Sequence, residues 1–182
     1  MKKTLIFIIF VAAGLLLAVF VTGAMLPVKH SVSRNITLHQ PPEAVWAVLA
    51  DHMSDPKWRH DVASVKKLPN RNGHPVWEDT YKNGQTLRME TTVLDFAGTA
   101  QRMERKIVDQ TAFGGVWVYE ITPLDDPTKP GAKMTNLKIT ENGEVFNPAF
   151  RFFGLFTGND KTVTLYLKDF AAKFGENVQP VP

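Results

Sequence analysis

The 182-residue sequence contains no cysteine. This absence excludes disulfide bonds, thiolate metal sites, cysteine nucleophiles and the attachment of lipid through cysteine, and it leaves the redox compartment open. The sequence also has no internal repeat and no low-complexity tract. Its length therefore predicts one domain of ordinary size together with an appendage.

A basic surplus is also missing once the N-terminus is set aside. The pI of the whole chain is about 9.1, but the first 28 residues contribute Lys2 and Lys3 and no acidic residue. The remainder has 19 basic and 18 acidic residues and no run rich in lysine or arginine. The composition therefore predicts no nucleic acid partner.

Histidine is present, but without the spacing that a metal site needs. The histidines concerned are His30, His39, His52 and His74. Zinc is accordingly not expected, and the sequence predicts no cofactor. The adjacent His60 and Asp61 could be a general base and its orienting carboxylate, although a solvated or capping pair at a helix end is favoured.

The first positive feature is a long apolar run. Residues 5–26 carry no charge and follow Lys2 and Lys3, and these 22 residues reach roughly 33 Å at about 1.5 Å each, enough to cross a bilayer core of about 30 Å. A cleaved signal peptide is the alternative, yet the run from residue 5 to residue 21 exceeds the usual signal core of about 7–15 residues. We therefore expect residues 1–28 to be a transmembrane anchor with a cytoplasmic N-terminus, which places the domain in the periplasm or outside the cell.

Alternating apolar and polar residues then predict a series of strands. Two short helical segments follow the first strand, and short turns such as Asn83-Gly84 join many of the others, which favours antiparallel pairing. The predicted strands are residues 31–38, 62–68, 75–82, 86–96, 100–108, 115–122 and 132–145.

The C-terminal part predicts a long helix that covers the sheet. Val163, Leu167, Phe170 and Phe174 form one apolar stripe at helical spacing within residues 160–174. Before it, a segment rich in phenylalanine lies around Gly154 and Gly158. We expect the stripe to pack as core, and the aromatic segment to form a bend or the mouth of a pocket.

This order of elements resembles the helix-grip fold of the START/Bet v 1-like (SRPBCC) superfamily, which includes polyketide cyclase-like and lipid-transfer proteins. The matching stretches are residues 41–46 at the entry to the first helix, an aspartate followed by Pro-x-Trp within 51–58, and residues 147–152 and 164–171 at the final helix. The resemblance spans roughly residues 31–175.

The resemblance implies an α+β fold in which a curved antiparallel sheet of six to seven strands surrounds a long C-terminal helix. Two short helices follow strand 1, and the transmembrane helix is separate. The expected divisions are an anchor at 1–28, a START-like domain at 29–176 and a C-terminal tail at 177–182.

The resemblance also implies a cavity for a hydrophobic ligand between helix and sheet, and large aromatics with polar tips suit such a pocket. Asp79 shares a strand face with Trp77 and Tyr81, which makes it the best candidate for a buried polar group. No catalytic or metal-binding residue is predicted. The candidate ligand contacts are Trp58, Trp77, Asp79, Tyr81, Met89, Met103, Trp117, Tyr119, Phe150, Phe153 and Phe156.

Three functions stay open at this point. The leading one is membrane-tethered binding of a hydrophobic small molecule or lipid. The first alternative is a polyketide cyclase/dehydratase-like enzyme acting on an aromatic or apolar substrate, which requires an inward Asp, Glu, His or Arg beside the aromatics. The second is a protein-interaction module without a ligand, which requires a filled core. Ligand identity and oligomeric state are not predicted.

Overall fold

The N-terminal apolar run forms one continuous helix. The computed structural model describes residues 2–95, 101–158 and 160–182, so the predicted strand ends at residues 96 and 100 lie outside the described residues. Helix α1, Lys2–Met25, has 24 residues. By length and composition, it is the one helix in the described chain that could cross a membrane. Its side chains are almost all exposed, and it lies outside the core of the domain.

Seven strands form a single antiparallel sheet in the order β1-β7-β6-β5-β4-β3-β2. Strands β2 to β7 follow one another as neighbours, as expected for hairpins, whereas β1 pairs with β7, for example Ile36 opposite Leu137. The strands are β1 Lys29–Leu38, β2 Val62–Arg71, β3 His74–Tyr81, β4 Thr86–Asp95, β5 Gln101–Val108, β6 Phe113–Asp125 and β7 Lys133–Val145.

Strand β2 is longer than the sequence predicts because proline does not end it. The predicted strand stops at residue 68, just before Pro69, but β2 is an edge strand and its pairing with β3 is irregular between Leu68 and Arg71, so the missing N–H of Pro69 costs no ladder hydrogen bond. The turn comes later, at Asn72 and Gly73, which both have positive φ angles of 51° and 85°. Two positive φ angles are typical of the tight turn that matches the twist of a hairpin.

Helix α4, Lys161–Lys173, packs on the concave side of the sheet. Its predicted stripe is buried, and Tyr166 joins it. The helix contacts β1 and β7, and it buries Val163, Leu167 and Phe170 against residues of β1, β6 and β7 such as Ile36, Tyr119 and Ile139. Because α4 crosses one side of the sheet, the concave face of β3 to β6 is left to line a cavity.

Two short elements close one end of this arrangement. Helix α2, Pro42–Ala50, begins with proline in its first turn and buries Val45 and Leu49. A 3₁₀ helix, His52–Lys57, follows at once and buries two polar side chains, His52 and Asp55. These elements hold the polar end of the site described below.

The aromatic segment forms a helix of its own, α3, Pro148–Thr157, capped by the side chain of Asn147. Gly158, with φ of 72°, separates it from α4. Within the last six residues, expected to be a tail, Val181 exchanges two backbone hydrogen bonds with Asn35 of β1. Val178 also packs against the core.

Candidate functional site

A cavity of about 260 Å³ lies between α4 and the concave face of the sheet. Its walls come from both ends of the chain, because β1 pairs with β7 and α4 follows β7. The lining residues are His30, Arg59, Tyr81, Leu87, Met89, Arg105, Ile107, Phe113, Gly114, Trp117, Tyr119, Glu141, Gly143, Glu144, Val145, Thr162 and Tyr166.

The middle of the cavity is apolar. Leu87 and Met89 project from β4, and Ile107 lies beside Met89 on the neighbouring strand β5. Trp117 on β6 stands edge-on to Tyr166 of α4, with ring centroids 5.6 Å apart. Strand alternation brings these side chains to one face, so the sheet supplies a wall suited to a hydrocarbon or an aromatic ring.

The closed end of the cavity is polar and carries two guanidinium groups. Arg59 lies 5.3 Å from the ring centre of Tyr166 and 5.7 Å from that of Tyr81, and Arg105 lies 5.2 Å from that of Tyr119. Both arginines are buried and always charged. A charge in this position interacts with the ring faces and with any ligand that enters.

Buried carboxylates behind the cavity balance these charges. Asp79 lies 3.4 Å from Arg59, and Asp55 lies 3.7 Å from Arg59 and 3.6 Å from Arg105. The His52 imidazole contacts Asp79 at 2.7 Å and stacks on Trp77. Neither aspartate lines the cavity, so the arginines and tyrosines are the groups that face a ligand.

Burial controls the protonation of this network. It lowers the pKa of His52, and the charge of Arg105 lowers it further, against the opposing effect of Asp79. Burial raises the pKa of Asp55, although Arg105 works in the other direction. The pKa of the Tyr166 hydroxyl is also raised by burial. Neutral His52 and neutral tyrosines around two charged arginines give this end a net capacity to donate hydrogen bonds.

Several of these donors are unused. The Nε atoms of Arg59 and Arg105 and the hydroxyl oxygen of Tyr166 are buried without a hydrogen-bond partner among the described residues. Buried donors that stay unpaired cost free energy, on the order of 1–3 kcal/mol each. Arg105 is nonetheless held in place, because its Nη2 donates to the Leu49 carbonyl oxygen at 2.7 Å. The Arg105 guanidinium is therefore fixed in position at the cavity wall.

The donor atoms of His52, Asp55 and Asp79 lie within 4.8 Å of one another, a grouping that could hold a metal ion. Arg59 and Arg105 already lie against these carboxylates, and their charges would repel a cation there. We therefore interpret the three residues as an ion-pair network.

His60 and Asp61 do not form a base and its orienting carboxylate, since His60 contacts Asp169 and Asp61 contacts Arg59.

A second polar pair lines the other end of the cavity. His30 Nε2 lies 3.4 Å from Glu141 Oε1, and both side chains are mostly buried. Burial raises the pKa of Glu141, although His30 opposes this effect. Thr162, which is exposed, and the part-exposed Glu144 also line the cavity, so its mouth lies beside the start of α4 and the end of β7.

The predicted ligand contacts occupy three places. Tyr81, Met89, Trp117 and Tyr119 line the cavity. Trp58, Trp77, Asp79 and Met103 surround it: Trp58 packs edge-on to Tyr166, Trp77 stacks on His52, Asp79 is buried in the ion-pair network, and Met103 is in the core. Phe150, Phe153 and Phe156 lie elsewhere, exposed on α3.

Arg59, Arg105, Glu141 and Tyr166 also line the cavity but were not predicted from the sequence. Arg105 had a visible signal, because it alternates in step with Met103 and Ile107 on β5. Tyr166 lies between Val163 and Phe170 on the apolar stripe of α4. Arg59 and His52 had no comparable signal, since they lie at the ends of short helical turns.

Comparisons with known proteins agree with this architecture. Solved structures of similar fold include a START superfamily protein from Mycobacterium smegmatis, with 19% identity, a TM-score of 0.58, and coverage of 79% of this chain and 96% of that one. The Zhui aromatase/cyclase from Streptomyces sp. R1128 has 16% identity, a TM-score of 0.59 and coverage of 80% and 93%. Norcoclaurine synthase from Thalictrum flavum has 9% identity, a TM-score of 0.60 and coverage of 80% and 93%.

At these identities the solved structures show the fold alone, and no curated protein matches the chain. A family described as polyketide cyclase / dehydrase and lipid transport matches residues 29–178, which is most of the chain. The limits agree with a domain that begins at β1 and includes the segment after α4. The chain therefore belongs to the polyketide cyclase / dehydrase and lipid transport family, within the START superfamily fold.

Proposed function

We propose that this protein binds an amphipathic molecule, with an apolar body and an anionic or carbonyl head, in the cavity beside α4. The observation that carries the proposal is the division of the cavity into two chemistries. Leu87, Met89 and Ile107 form an apolar wall, and Arg59 and Arg105 contribute buried guanidinium groups to the polar part of the lining. An anionic or carbonyl oxygen beside these guanidinium groups would make charge-assisted interactions with them.

The size of the site limits the ligand. A volume of about 260 Å³ is just below the range of roughly 300–1,000 Å³ for small-molecule sites. This volume fits a short acyl chain or a small aromatic system and is too small for a whole two-chain phospholipid. A free fatty acid or a comparable aromatic acid is therefore the class that both volume and charge favour.

We further propose that α1 tethers this binding domain to a membrane. The helix is uninterrupted for 24 residues, which is about 36 Å at 1.5 Å per residue and enough to span a bilayer core. Lys2 and Lys3 favour a cytoplasmic N-terminus, with the domain on the extracytoplasmic side. A tether holds the cavity next to a membrane source of apolar ligand.

Photo-crosslinking tests the binding proposal. The full chain in lipid nanodiscs is irradiated with a diazirine fatty acid, and the labelled peptides are identified by mass spectrometry. We expect label on β4, β5 and α4 around the cavity, and Ile107→Trp should remove it by filling the apolar part. Lys106→Trp, on the outer face of the same strand, is the matched control and should keep the label. Equal labelling of the two variants would refute the proposal.

A cyclase- or dehydratase-like activity is the second candidate, and Glu141 supports it. Its carboxyl group lines the cavity near Trp117, contacts His30 and has a raised pKa because of burial. A carboxyl group with a raised pKa can move a proton near neutral pH. In contrast, a module without a ligand requires a filled core, which the cavity does not support.

Proton exchange tests the enzymatic candidate without knowledge of the natural substrate. In this reaction the Glu141 carboxylate takes the α-proton of an aromatic ketone, leaving an enolate, and a deuteron from solvent is then returned to the carbon. Incubation of 2-tetralone in D₂O, followed by NMR, should show exchange that Glu141→Gln abolishes. No exchange above the rate in buffer would leave binding as the function.

A further inference from the structure

Helix α3 presents an apolar surface that the domain does not cover. Phe150, Phe153, Leu155 and Phe156 are 51%, 57%, 58% and 75% exposed. A soluble monomer rarely exposes a contiguous group of large apolar side chains, and such groups mark surfaces for partners or membranes. The cavity does not use these residues.

The single charged residue of α3 is turned inward. Arg151 Nε donates to the Gly23 carbonyl oxygen of α1 at 2.7 Å, and its Nη1 donates to the carbonyl oxygens of Val145 and Phe146 at 3.0 and 3.2 Å. The guanidinium thus joins the end of α1, the end of β7 and α3. It leaves the outer surface of α3 without a charge.

Helix α3 is therefore fixed at the height of the last turn of α1. Gly23 permits the contact, because a Cβ atom there would lie 1.9 Å from the Pro148 carbonyl oxygen. The apolar run of α1 ends within a few residues of this point, at Leu26. A helix held beside the last turn of a membrane span lies at the boundary between the hydrocarbon core and water.

The mouth of the cavity lies at the same end of the domain. Glu144 and Val145 line it, and His30 and Val145 also line the groove between the end of α1 and α3. Lys29, the first residue of β1, is four residues after the end of α1 at Met25, a span of roughly 14 Å at most. The cavity therefore opens close to the plane in which α3 lies.

We propose that α3 lies in the membrane interface with its phenylalanines in the lipid, so that the cavity opens onto the bilayer surface and receives its ligand from there. This inference rests on the proposed role of α1 as a membrane span. A lipid bilayer fits this surface better than a second copy of the chain does. The uncharged surface is continuous with an apolar helix already long enough to span the bilayer, and aromatic side chains favour the interface.

The absence of cysteine allows a direct test, since any introduced cysteine is the sole labelling site. The full chain, with an NBD fluorophore at Phe156→Cys, is placed in phosphatidylcholine nanodiscs and quenched with iodide. Leu124→Cys, near the opposite end of β6 and also exposed, is the matched control. Leu16→Cys, within α1, reports separately on insertion of the anchor. We expect quenching several-fold weaker at positions 156 and 16 than at position 124.

Each outcome separates the two proposals. Shielding at position 16 with full quenching at position 156 overturns the role of α3 and keeps the tether. Full quenching at position 16 overturns the tether itself. If the fluorophore at position 156 is shielded in ordinary nanodiscs but is quenched in nanodiscs that hold a single copy of the chain, the bilayer does not cover α3. That result would assign the surface to a second copy.

Discussion

The imidazole Nε2 of His52 lies 2.7 Å from Oδ1 of Asp79, and both side chains are almost completely buried. This contact joins the 3₁₀ helix to β3 across the closed end of the cavity. Asp79 also lies 3.4 Å from Arg59, so one carboxylate holds two of the side chains that shape the site. The network therefore positions the ligand-facing arginines without lining the cavity itself.

Replacement of Asp79 by alanine should destabilise the protein strongly. The change removes one of the three carboxylates around the buried Arg59 and leaves His52 without its hydrogen bond. Removal of one partner from a buried ion pair costs about 3–5 kcal/mol. Thermal unfolding of the full chain measures the effect. Glu78→Gln, the next residue on the opposite face and paired with the exposed Arg88, is the control, with an expected cost below about 1 kcal/mol. Equal losses of stability in the two variants would show that the buried ion-pair network contributes no more to the free energy of unfolding than the surface pair does.

The stability of the domain should fall as the pH drops below about 6.5, the ordinary pKa of histidine. Burial lowers the pKa of His52 in the folded protein, and Arg105 lowers it further. The unfolded chain therefore takes up a proton at this position before the folded chain does, and the free energy of unfolding decreases with falling pH. Burial raises the pKa of Asp55, which has the opposite sign: the folded protein takes up a proton there first and gains stability as the pH falls further.

Comparison of variants isolates the contribution of His52. Melting temperatures are measured between about pH 7.5 and pH 5.5, a window chosen around the histidine pKa. His52→Gln keeps an N–H donor for Asp79 but cannot be protonated, so its stability should depend less on pH than that of the wild type. His74→Gln, at the start of β3, serves as the control and should keep the wild-type dependence. Parallel curves for wild type and His52→Gln would contradict the prediction.

The sequence predicted the architecture because the responsible signals are local. Alternation along β3 to β7 and the stripe Val163, Leu167 and Phe170 on α4 each reflect contact with a single surface. The predicted end of β2 was too early, because the effect of Pro69 depends on whether the strand is at an edge, and strand order is a property of the whole sheet.

The polar end of the site was harder to predict for a related reason. Asp79 stood out because it alternates with Trp77 and Tyr81, whereas its partners His52 and Arg59 come from irregular turns about 20 residues or more away. A charged residue on a strand usually faces solvent, and this general rule outweighed the alternation that puts Arg105 in step with Met103 and Ile107. The two arginines and the two aspartates meet only in the folded chain, where their opposite charges offset the free-energy cost of burying each group.

Gly23→Ala should loosen the attachment of α3 to α1. A Cβ atom at Gly23 would lie 1.9 Å from the Pro148 carbonyl oxygen, so the helices must separate. Gly14→Ala is the matched control, because a Cβ atom there meets nothing within 4 Å. In nanodiscs, iodide quenching of a fluorophore at Phe156→Cys should increase for Gly23→Ala and stay unchanged for Gly14→Ala. No difference between the two variants would show that this contact does not fix the height of α3.

Tyr166→Phe should weaken binding of an acidic ligand more than binding of its uncharged ester. The Tyr166 hydroxyl is buried in the cavity wall without a hydrogen-bond partner among the described residues, and the phenylalanine ring keeps the stacking on Phe170. Loss of one hydrogen bond to a charged acceptor reduces affinity by about 1.5–3 kcal/mol, which is roughly 10-fold or more.

Competition measures this selectivity. Unlabelled octanoate or methyl octanoate displaces a diazirine fatty acid from the full chain in nanodiscs, and the concentrations that halve the crosslinking are compared. Because lipid uptake of each competitor is the same for wild type and variant, the ratio between the two proteins reports the cavity alone. A smaller preference for octanoate in Tyr166→Phe, with little change for the ester, indicates that the hydroxyl contacts the head of the ligand. An equal loss for both competitors would instead place the acidic head away from Tyr166 and contradict the assignment of the closed end as the head site.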